Sequence, residues 1–320
     1  MNTLSLLFRV VCLLALLFTF SIGTSQEISK AKAVQVNNDS EASFYKVNSP
    51  DKTFEMPEQL KEISGLTISP DKEHLFAVND EEGIIFFINK KTGGVVRKVK
   101  FHKNGDYEGI ECVGDDVYVV KSSGTVYQVN FITADSTSFK KRKYLFRKEN
   151  DTEGLGYDSK NQRLLFACKG MACLHVGCRI DGCRSKKSIY GLDLKENKLV
   201  EEPIFEIKME EVVAFLQAHK SEEELKRFES IINPEDGDFH FHPSALAVHP
   251  LTGDVYVLAS KGKKLIVLSA TGKIKYVEKL KKKMHTQPEG IAFDSDGTMY
   301  ISNEGKKEKP AKIHVFRAVR

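Results

Sequence analysis

QPEGIAFDSDGTMYISNEG at 287–305 decides the fold, because its opening recurs. DYEGIECVGDDVYVVKS at 106–122 and DTEGLGYDSKNQRLLFACK at 151–169 have the same shape. Each places an acidic residue and a glycine before an apolar run, then a polar turn and a second apolar run. Aligned on the strand that follows, the series is ISGLTIS (63–69), YEGIECV (107–113), TEGLGYD (152–158), PSALAVH (243–249) and PEGIAFD (288–294). The aligned positions are Ser64, Glu108, Glu153, Ser244 and Glu289, separated by 44, 45, 91 and 45 residues. A period of 40–50 residues is the signature of a repeat architecture.

Each unit continues with a second strand (HLFAVND, DVYVVKS, RLLFACK, DVYVLAS, TMYISNE) and a third (GIIFFIN, GTVYQVN, SIYGLDL, KLIVLSA, KIHVFRA). A more polar fourth usually follows, such as KIKYVEKL. Short β-branched and aromatic runs broken by Gly, Asp and Asn are hairpin signals, and a repeated four-stranded unit is a propeller blade. The spacing therefore predicts an all-β propeller of five blades.

The double step of 91 residues could hide a sixth blade. MEEVVAFLQAHKSEEELKRFESII at 209–232 instead reads as helical. Ser221 and Glu224 form a capping box, and Leu225, Phe228, Ile231 and Ile232 share a face. An insertion over 209–238 is expected, with six blades as the other reading. The last unit stops one strand short, so the segment from residue 44 is expected to supply its fourth strand.

The termini and charge bound the setting. Arg9 is the sole charge in the first 25 residues, and Val10–Ile22 is apolar but shorter than a membrane span requires. Gly23-Thr24-Ser25 follows, the pattern of a secretory signal peptide over 1–25 cut after Ser25. Residues 26–43 read as a flexible leader and 44–320 as one propeller domain. Localisation is expected to be exported: periplasmic, secreted or in the cell envelope, with membrane association only through an uncleaved N-terminal segment. The 48 basic and 44 acidic residues are interspersed. KLKKK at 279–283 reads as a solvated face, so no nucleic-acid partner is expected.

The five aligned series together, with the Pro-Ser before blade four and the closing Ser-Asn-Glu, resemble the SdiA-regulated propeller family, also called the YjiK/CarP family. The resemblance covers nearly everything after residue 44. It implies an exported bacterial β-propeller, with some members tied to calcium responses and the cell envelope, and it implies no established reaction. The cysteine-rich hairpin and the 209–238 insertion depart from the family pattern.

In a propeller the innermost strands line the central tunnel. Glu108, Glu153 and Glu289 should then converge near one mouth, with Ser64 and Ser244 completing the ring. Converging carboxylates raise one another's pKa unless a cation intervenes, and hard oxygen ligands in a flexible ring suit Ca²⁺. Two other readings stand: each Glu accepts backbone hydrogen bonds while its Gly permits close approach, or the ring is catalytic. The catalytic form is a metal-dependent hydrolase of an ester, lactone or phosphoester, with His240, His242 or His285 carrying protons. Asn79-Asp80-Glu81 and Asn303-Glu304 form a second candidate ligand set, and HFHP at 240–243 a weaker one. A binding or scaffold role toward a protein or small molecule of the cell envelope is the leading expectation.

CKGMACLHVGCRIDGC at 168–183 sets Cys168, Cys173, Cys178 and Cys183 at even steps. In an exported chain this favours disulfides, and a nested pairing of Cys168 with Cys183 and Cys173 with Cys178 suits a hairpin. Four thiolates on zinc and free thiols are the other readings. Cys112 reads as a buried free thiol.

Overall fold

The computed structural model describes residues 45–131, 136–175 and 180–319. The signal segment, the leader and Cys178 lie outside the described residues.

The apolar runs become short antiparallel strands grouped in five sheets. Strand β1 (Lys52–Glu55) comes first in sequence and is treated with the last blade. Blade one is β2 (Ile63–Ile68), β3 (His74–Asn79), β4 (Ile84–Asn89) and β5 (Val95–Lys100). Blade two is β6 (Tyr107–Val113), β7 (Asp116–Lys121), β8 (Thr125–Phe131) and β9 (Thr137–Lys143). Blade three is β10 (Thr152–Asp158), β11 (Arg163–Cys168) and β12 (Lys186–Asp193), with an outer strand split into β13 (Lys198–Leu199) and β14 (Phe205–Lys208), both on β12. Blade four is β15 (His242–Val248), β16 (Val255–Lys261), β17 (Lys264–Leu268) and β18 (Ile274–Lys279). Blade five is β19 (Pro288–Phe293), β20 (Met299–Asn303), β21 (Lys312–Phe316) and β1. β1 pairs antiparallel with β21, from Lys52 opposite Val315 to Glu55 opposite Lys312, so the two ends of the chain close one blade.

Successive side chains of a strand point to opposite faces, and here both faces are buried. Leu75 and Ala77 of β3 pack with blade five, while Phe76 and Val78 pack with blade two. This explains why the inner strands read as unbroken apolar runs. The core is accordingly five slabs, one between each pair of adjacent blades. The inner strands β2, β6, β10, β15 and β19 each contact the inner strands of both neighbouring blades, closing a ring.

The double step holds an insertion rather than a blade. It contains helices α2 (Met209–His219), α3 (Glu222–Leu225) and α4 (Glu229–Ile232), following a short α1 (Ile180–Arg184) in the cysteine hairpin. Ser221 Oγ accepts from the Glu224 backbone N–H, and the Glu224 carboxylate accepts from that of Ser221 at 3.0 Å, the expected capping box. Val212, Leu216, Phe228 and Ile231 are buried with Ile207 of blade three and Val277 of blade four. The helices thus fill the outer cleft between these two blades. Among the described residues, no helix is long and apolar enough to cross a membrane.

Candidate functional site

Every inner strand carries a register shift at the same place. Pairing passes from Ile63 to Gly65, Tyr107 to Gly109, Thr152 to Gly154, Pro243 to Ala245 and Pro288 to Gly290. The residues passed over are Ser64, Glu108, Glu153, Ser244 and Glu289. The aligned column of the sequence is therefore a column of bulged residues, and a bulge re-aims a side chain that regular pleating would bury. The glycine that follows it in four of the five blades, with Ala245 in blade four, serves close packing between blades. A Cβ on Gly65 would lie 2.8 Å from the Ile110 backbone N, and one on Gly109 2.8 Å from the Leu155 Cβ.

Glu108, Glu153, Ser244 and Glu289 line a common constriction of about 10 Å³, close to the lower limit for one water. The two serines do not simply point into it. Ser64 Oγ donates to the Tyr107 carbonyl at 2.6 Å, and Ser244 Oγ to the Pro288 carbonyl at 2.7 Å, each tying its strand to the next blade just before that blade's glutamate. Glu153, 4% exposed, accepts from Lys169 Nζ at 2.5 Å. Glu289, 6% exposed, is held by hydrogen bonds from the Ser260 and Gln287 side chains.

Burial raises all three carboxyls, and neighbouring negative charge adds to it at Glu108 and Glu153. Glu108 is pushed up to about 10 by burial first, with Glu153 and Asp106 adding to it. Glu153 is pushed up to about 8 by burial and by Glu289. Burial also raises Glu289. Lys169 opposes the rise at all three. The effect continues outward: burial and Glu62, Glu81 and Asp106 take Asp80 to about 6, while burial and Glu289, Asp80 and Glu62 take Glu304 to about 8. The two ligand sets expected from sequence therefore form a single acidic mouth. Asn79 has a turn role, its Oδ1 accepting from the Glu82 backbone N–H at 2.9 Å, while its Nδ2 donates to the Gln59 carbonyl at 3.0 Å.

Lys169 was not among the residues singled out from sequence. It directly follows β11, as Asp80 follows β3 and Glu304 follows β20, so aligning the ends of the second strands would have found it. Its ammonium is the counter-charge that the converging carboxylates require. Among the described residues no three His, Cys, Asp or Glu side chains are grouped closely enough to hold a metal ion.

The histidines divide. His242 opens β15, and burial, Lys187 and Lys261 lower it to about 4. His240 sits on Asp236 at 2.9 Å, with its ring centroid 6.1 Å from that of His242. His285 is buried against Phe316 and bonds the Val47 carbonyl at 2.7 Å, a seam between the N-terminal segment and blade five.

The nested cysteine pairing is corrected. The disulfide joins Cys173 to Cys183, whose Cα atoms are 6.1 Å apart, and Cys168 is a buried free thiol. The physical reason is register. Ala167 lies opposite Ile189, which sets Cys168 near Ser188 and away from Cys183. Beyond Cys168 the chain leaves the hairpin: Lys169, Gly170 and Met171 donate to the carbonyls of Asp151, Asn150 and Glu149. Cys112 is free as expected, but it is half-buried and lines a cavity at the other end of the ring.

No curated protein matches the sequence. Among solved structures, a glutaminyl cyclase of Myxococcus xanthus is 13% identical with a TM-score of 0.50, covering 85% of this chain and 97% of its own. A luciferin-regenerating enzyme (10% identity, TM-score 0.46, 85% and 96% covered) and a PQQ-bound aldose sugar dehydrogenase of Streptomyces coelicolor (11%, 0.47, 85% and 100%) are also similar. At such identities the likeness is one of fold alone. A family model described as SdiA-regulated matches residues 40–170 and 203–307, passing over the disulfide hairpin. The chain belongs to the SdiA-regulated family.

Proposed function

We propose that this propeller is a non-catalytic binding protein whose acidic mouth takes up a hard divalent cation, Ca²⁺ in the first instance, in an oxidising, exported setting of the cell envelope. The observation that carries the reading is the set of carboxyls at one mouth, Asp80, Glu108, Glu153, Glu289 and Glu304, all raised. Each carries an electrostatic cost that a bound cation would relieve.

The donors suit calcium, being carboxylate oxygens. Asp80 Oδ1 is buried without a hydrogen-bond partner, which leaves an acceptor available to an ion. The bulge constriction itself is narrow, and Lys169 engages Glu153. As they stand no three of these carboxyls are grouped for a metal ion, so Asp80, Glu108, Glu289 and Glu304 would have to draw together around the ion, which would keep part of its water. Calcium would supply positive charge that neutralises the mouth and fixes its loops for a partner. The Cys173–Cys183 disulfide supports an oxidising compartment, in keeping with the Val10–Ile22 run.

Calorimetric Ca²⁺ titration tests this. Binding weakened by Glu108→Gln and Glu289→Gln is expected. Lys169→Met, which removes the competing ammonium, should strengthen binding by about tenfold. No heat of binding, or affinity unchanged in all three variants, would sink the reading.

A further inference from the structure

The inner strands end at the mouth opposite the acidic one, and there they line a cavity of about 740 Å³. That is within the usual size of a small-molecule site. Its origin can be read from the repeat. Three residues beyond each bulged position the blades carry Thr67, Glu111, Gly156, Ala247 and Ala292. Four of these are small, which hollows the end of the tunnel, and the fifth adds a carboxyl to an otherwise uncharged column.

That carboxyl is held in place. Glu111 Oε1 accepts from Thr67 Oγ1 at 2.5 Å and from the Cys112 backbone N–H at 2.9 Å, and the Tyr157 backbone N–H contributes a further bond. Burial nevertheless pushes it up to about 7. No ion pair engages it among the described residues. Of the cations on the cavity wall, Arg163 is committed to Asp158 at 2.8 Å, and Lys160 is exposed and forms no ion pair with Glu111. The Cys112 thiol beside it is pushed well above its ordinary value by burial and by Glu111, so it stays un-ionised and forms a neutral wall. Ala292 and Phe293 add apolar surface.

We infer that this basal cavity is a binding site for a small organic cation, an amine on a flat apolar body, with its N–H groups on Glu111 and its body against Ala292 and Phe293. A fixed carboxyl lacking a cation gains a charge-assisted hydrogen bond from an ammonium. The surrounding walls supply the hydrophobic contact.

The test is fluorine NMR titration of the full chain with para-fluorobenzylamine, using para-fluorobenzyl alcohol as the uncharged control. Glu111→Gln keeps the shape and is expected to weaken amine binding about tenfold while leaving the alcohol unchanged. Glu153→Gln, in the acidic mouth, should leave the amine affinity as it was. Saturating amine should also give fluorine–proton NOEs to the Phe293 ring on the cavity wall. Equal amine affinity in Glu111→Gln overturns the proposal. So does loss of binding in Glu153→Gln alone, which would put the amine in the acidic mouth, or no binding up to roughly 10 mM. If Glu111→Gln does not fold, those NOEs in the unaltered chain decide: their absence overturns the site.

Discussion

Glu108 and Glu153 tie the stability of the protein to pH in a direction opposite to that of a carboxylate whose pKa is lowered on folding. Their folded values, about 10 and about 8, stand above the ordinary 4.5. Between those limits the folded state holds more protons than the unfolded one, so stability falls as pH rises. It is greatest below the unfolded value and is lost progressively up to the folded values. A tenfold change in proton affinity is worth about 1.4 kcal/mol, so even partial realisation at the more buried Glu153 lowers the melting temperature by a few degrees. Melting curves in chelator from mildly acidic to mildly basic pH should show that fall, and Glu153→Gln should flatten it. A wild-type melting temperature flat across the range would mean that these carboxyls are relieved by means other than protonation.

At the scale of elements, the bulge and the glycine after it are one device, and only half of it was legible. The recurrence of Glu-Gly marks the start of three of the five inner strands, with Ser64-Gly65 and Ser244-Ala245 at the other two, and the need of a glycine for close backbone approach can be read from the same pair. The bulge was not readable, because an extra residue in one strand becomes visible only against its partner's register. The same limit explains the cysteines. Even spacing in CKGMACLHVGCRIDGC carries no information on where the hairpin register ends, and it ends after Cys168. The glycine role is testable. In Gly65→Ala the new Cβ would meet the Ile110 backbone N at 2.8 Å and the Gly109 Cα at 3.0 Å, atoms that cannot swing aside. A loss of about 1–3 kcal/mol is expected from overpacking, read as a lower urea midpoint. Gly94→Ala serves as the control, since its Cβ would find nothing nearer than Thr92 Oγ1 at 3.5 Å. Equal midpoints for the two variants would remove the close-packing explanation.

At the scale of the whole molecule, the ring was legible because blades repeat, and so was the position of Lys169 at the end of a second strand, but its role was not, because a lysine there reads as an ordinary turn residue. Its meaning depends on five inner strands bringing distant acids together. Closure was legible too, from a last unit one strand short, and it makes the strongest demand on the chain. β1 is only four residues, Lys52–Glu55. Yet Phe54 within it is buried in the slab between blades five and one, beside Leu66, Ala292 and Ile313. Tyr45, just upstream, is buried between blades four and five and bonds His249 at 2.8 Å. Deleting the chain through Glu55 would therefore open two of the five slabs and leave β21 as an unpaired edge, a template for association. Loss of Phe54 alone should cost about 3 kcal/mol or more, so the truncated protein should unfold at clearly lower urea and show concentration-dependent association in sedimentation. A synthetic peptide spanning residues 44–56, added in trans, should bind and restore both properties. An unchanged midpoint after truncation would mean that the ring is held by its inner strands alone, with closure of the last blade incidental.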